Sequence, residues 1–444
     1  AKDLVRMAVA KVSFSEPLKE QEVKVNKRAL VVGGGASGMT AALGLADQGF
    51  EVVLVEKGKE LGGNLRNLYY TIHGRDVQKY MHSLIERVRK HPLIQIILDA
   101  IVVDFAGFKG NFKTGIMSGP GMAYRQIEHG VAIIATGGQE YKPKEYLYGQ
   151  DERIMTQQEL EGKIARREIN LDSIREVAMI QCVGSRIPDR PYCSRLCCSM
   201  AIKNALKIKE INPQANIFII YRDVRTYGFL EDYYTRARKA GVIFIRYDLE
   251  HKPEVTLKKN SLQVSVYDPS LGEKVTLSPQ LLALSSAIVP RENDELATLM
   301  KLPRTPENFF LEAHMKLRPV DFATEGIYLC GLAHSPKPLD ESLSQAAAAV
   351  SRACTVLSHD TIAVGGVVAQ VEKEKCAACL TCVRVCPYDV PFINEEGVAQ
   401  IDPALCQGCG SCAAECPAKA IQLQHFKDEQ IVAKSIALFK EDAA

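Results

Sequence analysis

Residues 31–38 read Val-Val-Gly-Gly-Gly-Ala-Ser-Gly, and Gly33, Gly35 and Gly38 form the pattern G-x-G-x-x-G. An apolar run, Lys27–Val32, precedes them, and Ala41–Ala46 continues as a helical segment. Phe50–Val55 is a second apolar strand that ends at Glu56. This succession predicts a β–turn–α–β unit around a dinucleotide pyrophosphate. Gly33 permits the tight turn, Gly35 lets backbone approach the pyrophosphate, and Gly38 lets helix and strand pack closely. Ala36 and Ser37 open the helix, whose N-terminus offers N–H groups and a positive dipole end to phosphate. Glu56 follows Gly33 by twenty-three residues, which places its carboxylate to accept from ribose hydroxyls.

Two further segments favour FAD over NAD. Gly62-Gly63 follows Glu56-Lys57 and resembles the glycine pair of two-dinucleotide-binding flavoproteins. Val131–Gly138, "VAIIATGG", resembles the strand and turn (Ala135, Thr136, Gly137) by which those proteins return to their FAD domain. Their closing motif is a strand followed by Gly-Asp. Gly326–His334 here reads "GIYLCGLAH": Gly331 is present and the Asp is not, so the ribityl-phosphate contacts are left unassigned. A helix is expected from Ser342, with Gln345 in its first turn and its N-terminus aimed at the flavin pyrimidine ring. His334 and Lys337 are candidate neighbours of the flavin. No Ser/His/Asp or Cys/His nucleophile arrangement is evident, so no catalytic side chain is assigned.

The chain has 444 residues, 47% hydrophobic and 24% charged, which suits two to four globular domains. The 55 basic and 53 acidic residues nearly cancel, leaving no electrostatic footprint for nucleic acid. No apolar run approaches the ~18 residues of a membrane span. Ala1–Ala10 has no signal pattern and no initiator Met. It reads as an amphipathic helix with Leu4, Val5, Val9 and Val12 on one side, in a chain expected to begin inside a longer polypeptide.

Twelve of the fourteen cysteines fall into two groups. Disulfide frameworks belong to short secreted domains; iron–sulfur or metal ligation in a reducing cytoplasm fits this chain better. Cys376-x2-Cys379-x2-Cys382-x3-Cys386-Pro recurs thirty residues on as Cys406-x2-Cys409-x2-Cys412-x3-Cys416-Pro. Three thiolates of each run bind one cubane and the fourth ligates the other. One four-iron cluster is therefore expected on Cys376, Cys379, Cys382 and Cys416, the second on Cys406, Cys409, Cys412 and Cys386. A zinc ribbon would instead want two separated pairs.

Cys182, Cys193, Cys197 and Cys198 form the other group. A second βαβ unit runs through Val177–Cys182, Met200–Ile211 and Ile217–Tyr221. Its turn keeps only Gly184 and is filled by Pro188–Cys198, which removes the cradle for a pyridine nucleotide. From the residues alone, the four thiols are open to three readings: a further four-iron cluster, a redox disulfide, or idle buried thiols. Cys330 and Cys354 read as small buried hydrophobes. Tyr227-Gly228 and Tyr233-Tyr234 read as packing, and Arg222 to Arg225 as a solvated turn.

The remaining organisation is an α/β chain. Residues 1–26 form an N-terminal helix and connector. Residues 27–140 and 310–360 form the FAD domain, and 141–309 a degenerate NAD-like domain. A linker at 361–371 leads to a ferredoxin module at 372–426, with a C-terminal helix over 427–444. Ile94–Val103 is expected as one strand and Asp76–Lys90 as a helix.

The segments "GGNLRNLYYTIHGRDVQ", "YCSRLCCSMAIKNALK", "YRDVRTYGF", "EAHMKLRPVDFAT" and "YLCGLAHSPKPLDES" resemble the A-type subunit of heterodisulfide reductase and its bacterial relatives, over essentially the whole chain. The resemblance implies an iron–sulfur flavoprotein with a thioredoxin-reductase-like fold. It implies a four-iron cluster on the odd cysteine group, near FAD, making three clusters in all. It also implies flavin-based electron bifurcation in a cytoplasmic complex. The partners implied are B- and C-type iron–sulfur subunits with a hydrogenase, formate dehydrogenase or NADH module; a homodimer and a ferredoxin partner are expected as well. Only Asn111–His129 stands where long members insert a ferredoxin domain, which marks the short type. Two rival functions remain: a plain electron relay, and a self-contained NAD(P)H-dependent flavoenzyme.

Overall fold

The computed structural model describes residues 1–18 and 20–439. Lys19 of the expected connector and residues 440–444 of the expected C-terminal helix lie outside the described residues. Two lobes each carry a five-stranded parallel sheet. In the first, the order is Ile327–Leu329, Val131–Ile134, Ala29–Val32, Val52–Val55 and Ile94–Ile97. The central strands read "ALVV", "VVLV" and "VAII" and are wholly buried, as a parallel sheet covered on both faces requires. Helices Ala36–Ala46, Val77–Lys90 and Leu339–Leu357 cover one face. The antiparallel strands Ala100–Phe108, Asn111–Ser118 and Ala123–His129 cover the other. Asp76 caps its helix by accepting from the Lys79 N–H at 2.9 Å.

The second lobe orders Ile154–Thr156, Leu281–Ser286, Glu176–Val183, Asn216–Tyr221 and Val242–Arg246. Helices Gln157–Ala165, Cys197–Ile211 and Glu231–Lys239 pack on one face. An antiparallel three-stranded sheet over 254–277 packs on the other. A two-stranded ribbon, Gly138–Glu140 against Ile288–Pro290, joins the lobes. The cysteine module follows, tied to the first lobe by a Lys301–Asp389 ion pair of 2.8 Å.

Four expectations on extents change. Ile94–Val103 is two strands in different sheets, broken where Asp99 takes φ +50°. The helix expected from Ser342 begins at Leu339, so Ser342 lies inside its first turns. Residues 361–365 are no linker, because Thr361–Gly365 pairs antiparallel with Glu20–Lys24. Ala297, Met300 and Leu302 pack into the first lobe's core, so the second lobe stops at the ribbon rather than at 309. The N-terminal helix Lys2–Val12 packs along Asp428–Phe439, with Arg6 donating to the Leu438 carbonyl at 3.4 Å. Leu4, Val5, Val9 and Val12 remain exposed on it.

Candidate cofactor sites

A cleft of ≈1470 Å³ opens between the lobes. Gly33, Gly35, Ala36, Ser37, Glu56, Lys57, Gly63, Ala135, Thr136 and Gly137 line one end. The glycines divide the labour as their spacing predicts. A Cβ on Gly33 would strike the Ala135 carbonyl, and one on Gly38 the Gly33 carbonyl. A Cβ on Gly35 would meet nothing within 4 Å, because it would project into the cleft. Gly62 and Gly63 take φ +118° and +51°, a backbone that side chains rarely adopt. The Glu56 carboxylate accepts from the Gly34 and Gly58 N–H groups at 2.5 and 2.6 Å. These bonds pin it at the cleft wall. Thr136 Oγ1 is buried there without a partner. Open space over Gly35, a fixed carboxylate and an orphaned hydroxyl fit a dinucleotide's pyrophosphate and ribose.

Toward the second lobe, Lys337 and Ser342 line the cleft, but Gly331, Gln345 and His334 do not. The Gly331 N–H donates to Gln345 Oε1 at 2.9 Å, and its carbonyl accepts from Lys337 Nζ at 2.7 Å. His334 lies 2.8 Å from both Glu312 and Gln345. These residues form a polar network behind Lys337. Burial pushes the Lys337 ammonium down to about 8.

Sequence reasoning misses other residues of the cleft. Lys203 Nζ lies 2.6 Å from Glu161 Oε2 and donates to the Tyr70 carbonyl at 2.7 Å. Glu161 also accepts from the Tyr69 N–H at 2.7 Å. A lysine within an otherwise helical "MAIKNALK" gives no sequence signal of burial. Tyr227 and Phe229 are not packed inside: both line the cleft, and Phe229 is 94% exposed.

The cysteine group sits behind the other wall, where its neighbours Arg195, Leu196 and Ser199, rather than the cysteines themselves, line the cleft. Strand Glu176–Val183 carries Cys182, at φ +61°, as its last residue but one, and helix Cys197–Ile211 opens with Cys197 and Cys198. The loop between them fills the turn. A Cβ on Gly184 would strike the Tyr141 ring, which in turn stacks under Arg190 at 4.4 Å. All four thiols are free. Burial and the neighbouring sulfurs push Cys198 up to about 11 and Cys197 well above its ordinary value. The Arg195 N–H donates to Cys193 Sγ at 3.3 Å, while Arg195, Leu196 and Ser199 face the cleft. Arg222 to Arg225 is a solvated turn only in part, with Arg225 exposed and Asp223 half exposed. Arg222 donates to the Arg186 carbonyl at 2.6 Å, and Arg225 lines the cleft. Among the described residues, no three His, Cys, Asp or Glu side chains close on a point as for a single metal ion. Four reduced, mutually neighbouring thiols are a donor set that fits a cubane.

In the C-terminal module, Cys376, Cys379, Cys382 and Cys416 line one small cavity with Ala399, Ala420 and Ile421. Cys412 neighbours Cys406, Cys409 and Cys386. The fourth cysteine of each run thus stands with the other run. N–H groups of Ala399 and Ala420 donate to Cys376 and Cys416 sulfurs at 3.3 Å. Cys379 and Cys409 are exposed.

Residues 31–99 match the NAD(P)-binding Rossmann-like domain family, and residues 375–420 the 4Fe-4S dicluster domain family. Thioredoxin reductases from T. acidophilum and Lactococcus lactis superpose with TM-scores of 0.50, at 15% and 16% identity. They cover 74% and 75% of this chain and 98% and 99% of theirs. Fold and sites together define an iron–sulfur flavoprotein oxidoreductase of thioredoxin-reductase-like architecture, with a cleft whose lining fits FAD and a 4Fe-4S dicluster domain. The second A-type iron–sulfur subunit of the CoB–CoM heterodisulfide reductase of Methanopyrus kandleri is 37% identical across all of this chain and 82% of that protein. Its counterpart in the H2:CoB-CoM heterodisulfide,ferredoxin reductase of Methanothermobacter marburgensis is 33% identical across all of this chain and 81% of its own length. The chain belongs to this family, the A-type subunits of heterodisulfide reductase. The first alignment spans 542 residues against 444 here, so that relative carries extra segments within the matched span. No helix among the described residues is long and apolar enough to cross a membrane.

Proposed function

We propose that this chain is the flavin- and cluster-bearing subunit of a heterodisulfide-reductase-like complex, joining a two-electron donor to one-electron carriers by electron bifurcation. The observation that carries this reading is Arg195. Its backbone touches Cys193 while its side chain lines the cleft. An FAD bound in the cleft would supply two-electron exchange on one side and one-electron exchange on the other. Gly33, Gly35, Ser37 and Glu56 bind its diphosphate and ribose. Lys337 and the Lys203–Glu161 pair present buried charge to its far end and hold protons there. Cys182, Cys193, Cys197 and Cys198 hold a third four-iron cluster beside it. The C-terminal module, with Cys379 and Cys409 exposed, faces an outside carrier. The complex works in the cytoplasm with B- and C-type subunits and a hydrogenase, formate dehydrogenase or NADH module, and the chain forms a homodimer.

The test is coupling in the purified complex. A two-electron donor should reduce a low-potential ferredoxin only while a disulfide acceptor is present. Ferredoxin reduction without the disulfide would mark a plain relay. The self-contained NAD(P)H enzyme is disfavoured by the filled turn at Gly184–Leu196. Rapid flavin bleaching of the lone chain by NADH would restore it.

A further inference from the structure

Arg186 closes the outer side of the odd cysteine group. Its side chain is 15% exposed. Nη1 lies 3.9 Å from Cys182 Sγ, and Nη2 donates to Asp223 Oδ2 at 2.6 Å. The Arg186 carbonyl is held in turn by Arg222 at 2.6 Å. The Asp223 carbonyl faces the Cys198 sulfur at 3.6 Å. One carboxylate therefore aims the guanidinium at one ligand sulfur while its own backbone touches another. Asp223 is half exposed, so Arg186 is the more buried member of the pair. Among the described residues, the charges acting on these cysteines are Arg186, Arg222 and Arg225, and Asp223 faces Arg186, Arg225 and Arg246.

We propose that Arg186 is a positioning residue that raises the reduction potential of the cluster held by Cys182, Cys193, Cys197 and Cys198. This rests on the reading that those four cysteines hold a cluster. One-electron reduction adds a negative charge that spreads over the inorganic and cysteine sulfurs. An N–H···S bond from a cation stabilises that reduced form more than the oxidised one. The low local dielectric of a buried site enlarges the difference. Only a planar fork reaches Asp223 and Cys182 together; an ammonium on a flexible stem keeps the charge but loses the two-point aim. The cluster is thereby biased to accept an electron from the cleft. In the C-terminal module, by contrast, Cys376 and Cys416 accept from neutral backbone N–H groups.

The experiment is an EPR-monitored redox titration of the full chain, reconstituted with iron, sulfide and FAD. In Arg186→Gln the third cluster's midpoint should fall, while the signals of the C-terminal module stay where they are. A tenfold loss in the reduction equilibrium reads as about 59 mV for one electron. Arg186→Lys should give a smaller fall, because it restores charge without the fork. If Arg186→Gln does not assemble the cluster, Arg186→Lys alone decides. A cluster that assembles in either variant with an unmoved midpoint overturns the inference. Loss of the cluster in both variants overturns it too, by assigning Arg186 to assembly. A wild-type iron content near eight per chain overturns the cluster reading itself, a distinct failure visible before any titration.

Discussion

The Arg195 guanidinium grips the Glu341 carboxylate with two parallel bonds, of 2.7 and 2.9 Å, across the gap between the lobes. Arg195 belongs to the cysteine loop and Glu341 to the first turn of helix Leu339–Leu357. The same guanidinium donates to the Tyr227 hydroxyl. A fork of this kind fixes angle as well as distance.

Glu341→Ala should therefore disturb electron exchange more than folding. The side chains are 34% and 41% exposed, so the stability loss should be ~1 kcal/mol or less. Freed from its partner, the loop shifts relative to the cleft, and because electron tunnelling decays exponentially with distance, a lengthened flavin-to-cluster gap slows the transfer. Stopped-flow reduction should show slower flavin-to-cluster transfer with flavin and iron contents unchanged. Transfer at the wild-type rate would show that the fork does not set the geometry.

Gly35→Val should abolish flavin binding without collapsing the lobe. The added side chain points into open cleft, not into protein. Gly38→Val should instead damage the fold, since its Cβ meets the Gly33 backbone carbonyl. Flavin absorbance and far-UV circular dichroism separate the two. Full flavin occupancy in Gly35→Val would remove the pyrophosphate from that turn.

The first lobe is legible in the sequence because its signals are local. Gly33, Gly35, Gly38 and Glu56 lie within one supersecondary unit, and the spacing of each cysteine run stands in one short loop. The ion pair of Lys203 with Glu161 is not legible, because its partners are forty-two residues apart and meet only when two helices pack. Arg186, Arg195 and Arg222 are hidden for a related reason. Arginine in a loop usually reads as solvated surface, and only the folded loop gives these side chains their partners: Cys182 and Asp223 for Arg186, Glu341 for Arg195 and the Arg186 carbonyl for Arg222. The strand at Thr361–Gly365 escapes a local reading because its partner, Glu20–Lys24, comes from the far end of the chain.

Lys337 should leave a pH signature. Its ammonium titrates near 8 in the folded protein and near 10.5 when exposed. Between those values the unfolded chain binds more protons than the folded one, so this residue makes stability rise with pH across that window. Below about 8 the cost of its buried charge is fully present. Denaturant unfolding of wild type and Lys337→Met from about pH 7.5 to 10 should show the variant's advantage shrinking as pH climbs. The difference between the two proteins cancels the opposing titration of the buried thiols. A constant difference would mean that Lys337 is not destabilised by burial.

Cys197→Ser tests the third cluster directly. Cys197 is buried between Cys198 and the Ser286 carbonyl, 3.7 Å from its sulfur, and has the other three cysteines as neighbours. Three four-iron clusters give about twelve irons per chain, against about eight for the C-terminal module alone. Serine keeps the volume and removes the thiolate, so the lobe should fold and bind FAD as before. Iron should drop from about twelve toward eight, or one signal should convert, while the module's two signals persist. A redox disulfide predicts something else: about eight irons in both proteins, and two fewer titratable thiols in the oxidised wild type than in the reduced. Idle thiols predict about eight irons and no thiol change with redox state. Anaerobic iron, sulfide and thiol counts on the same preparations distinguish all three.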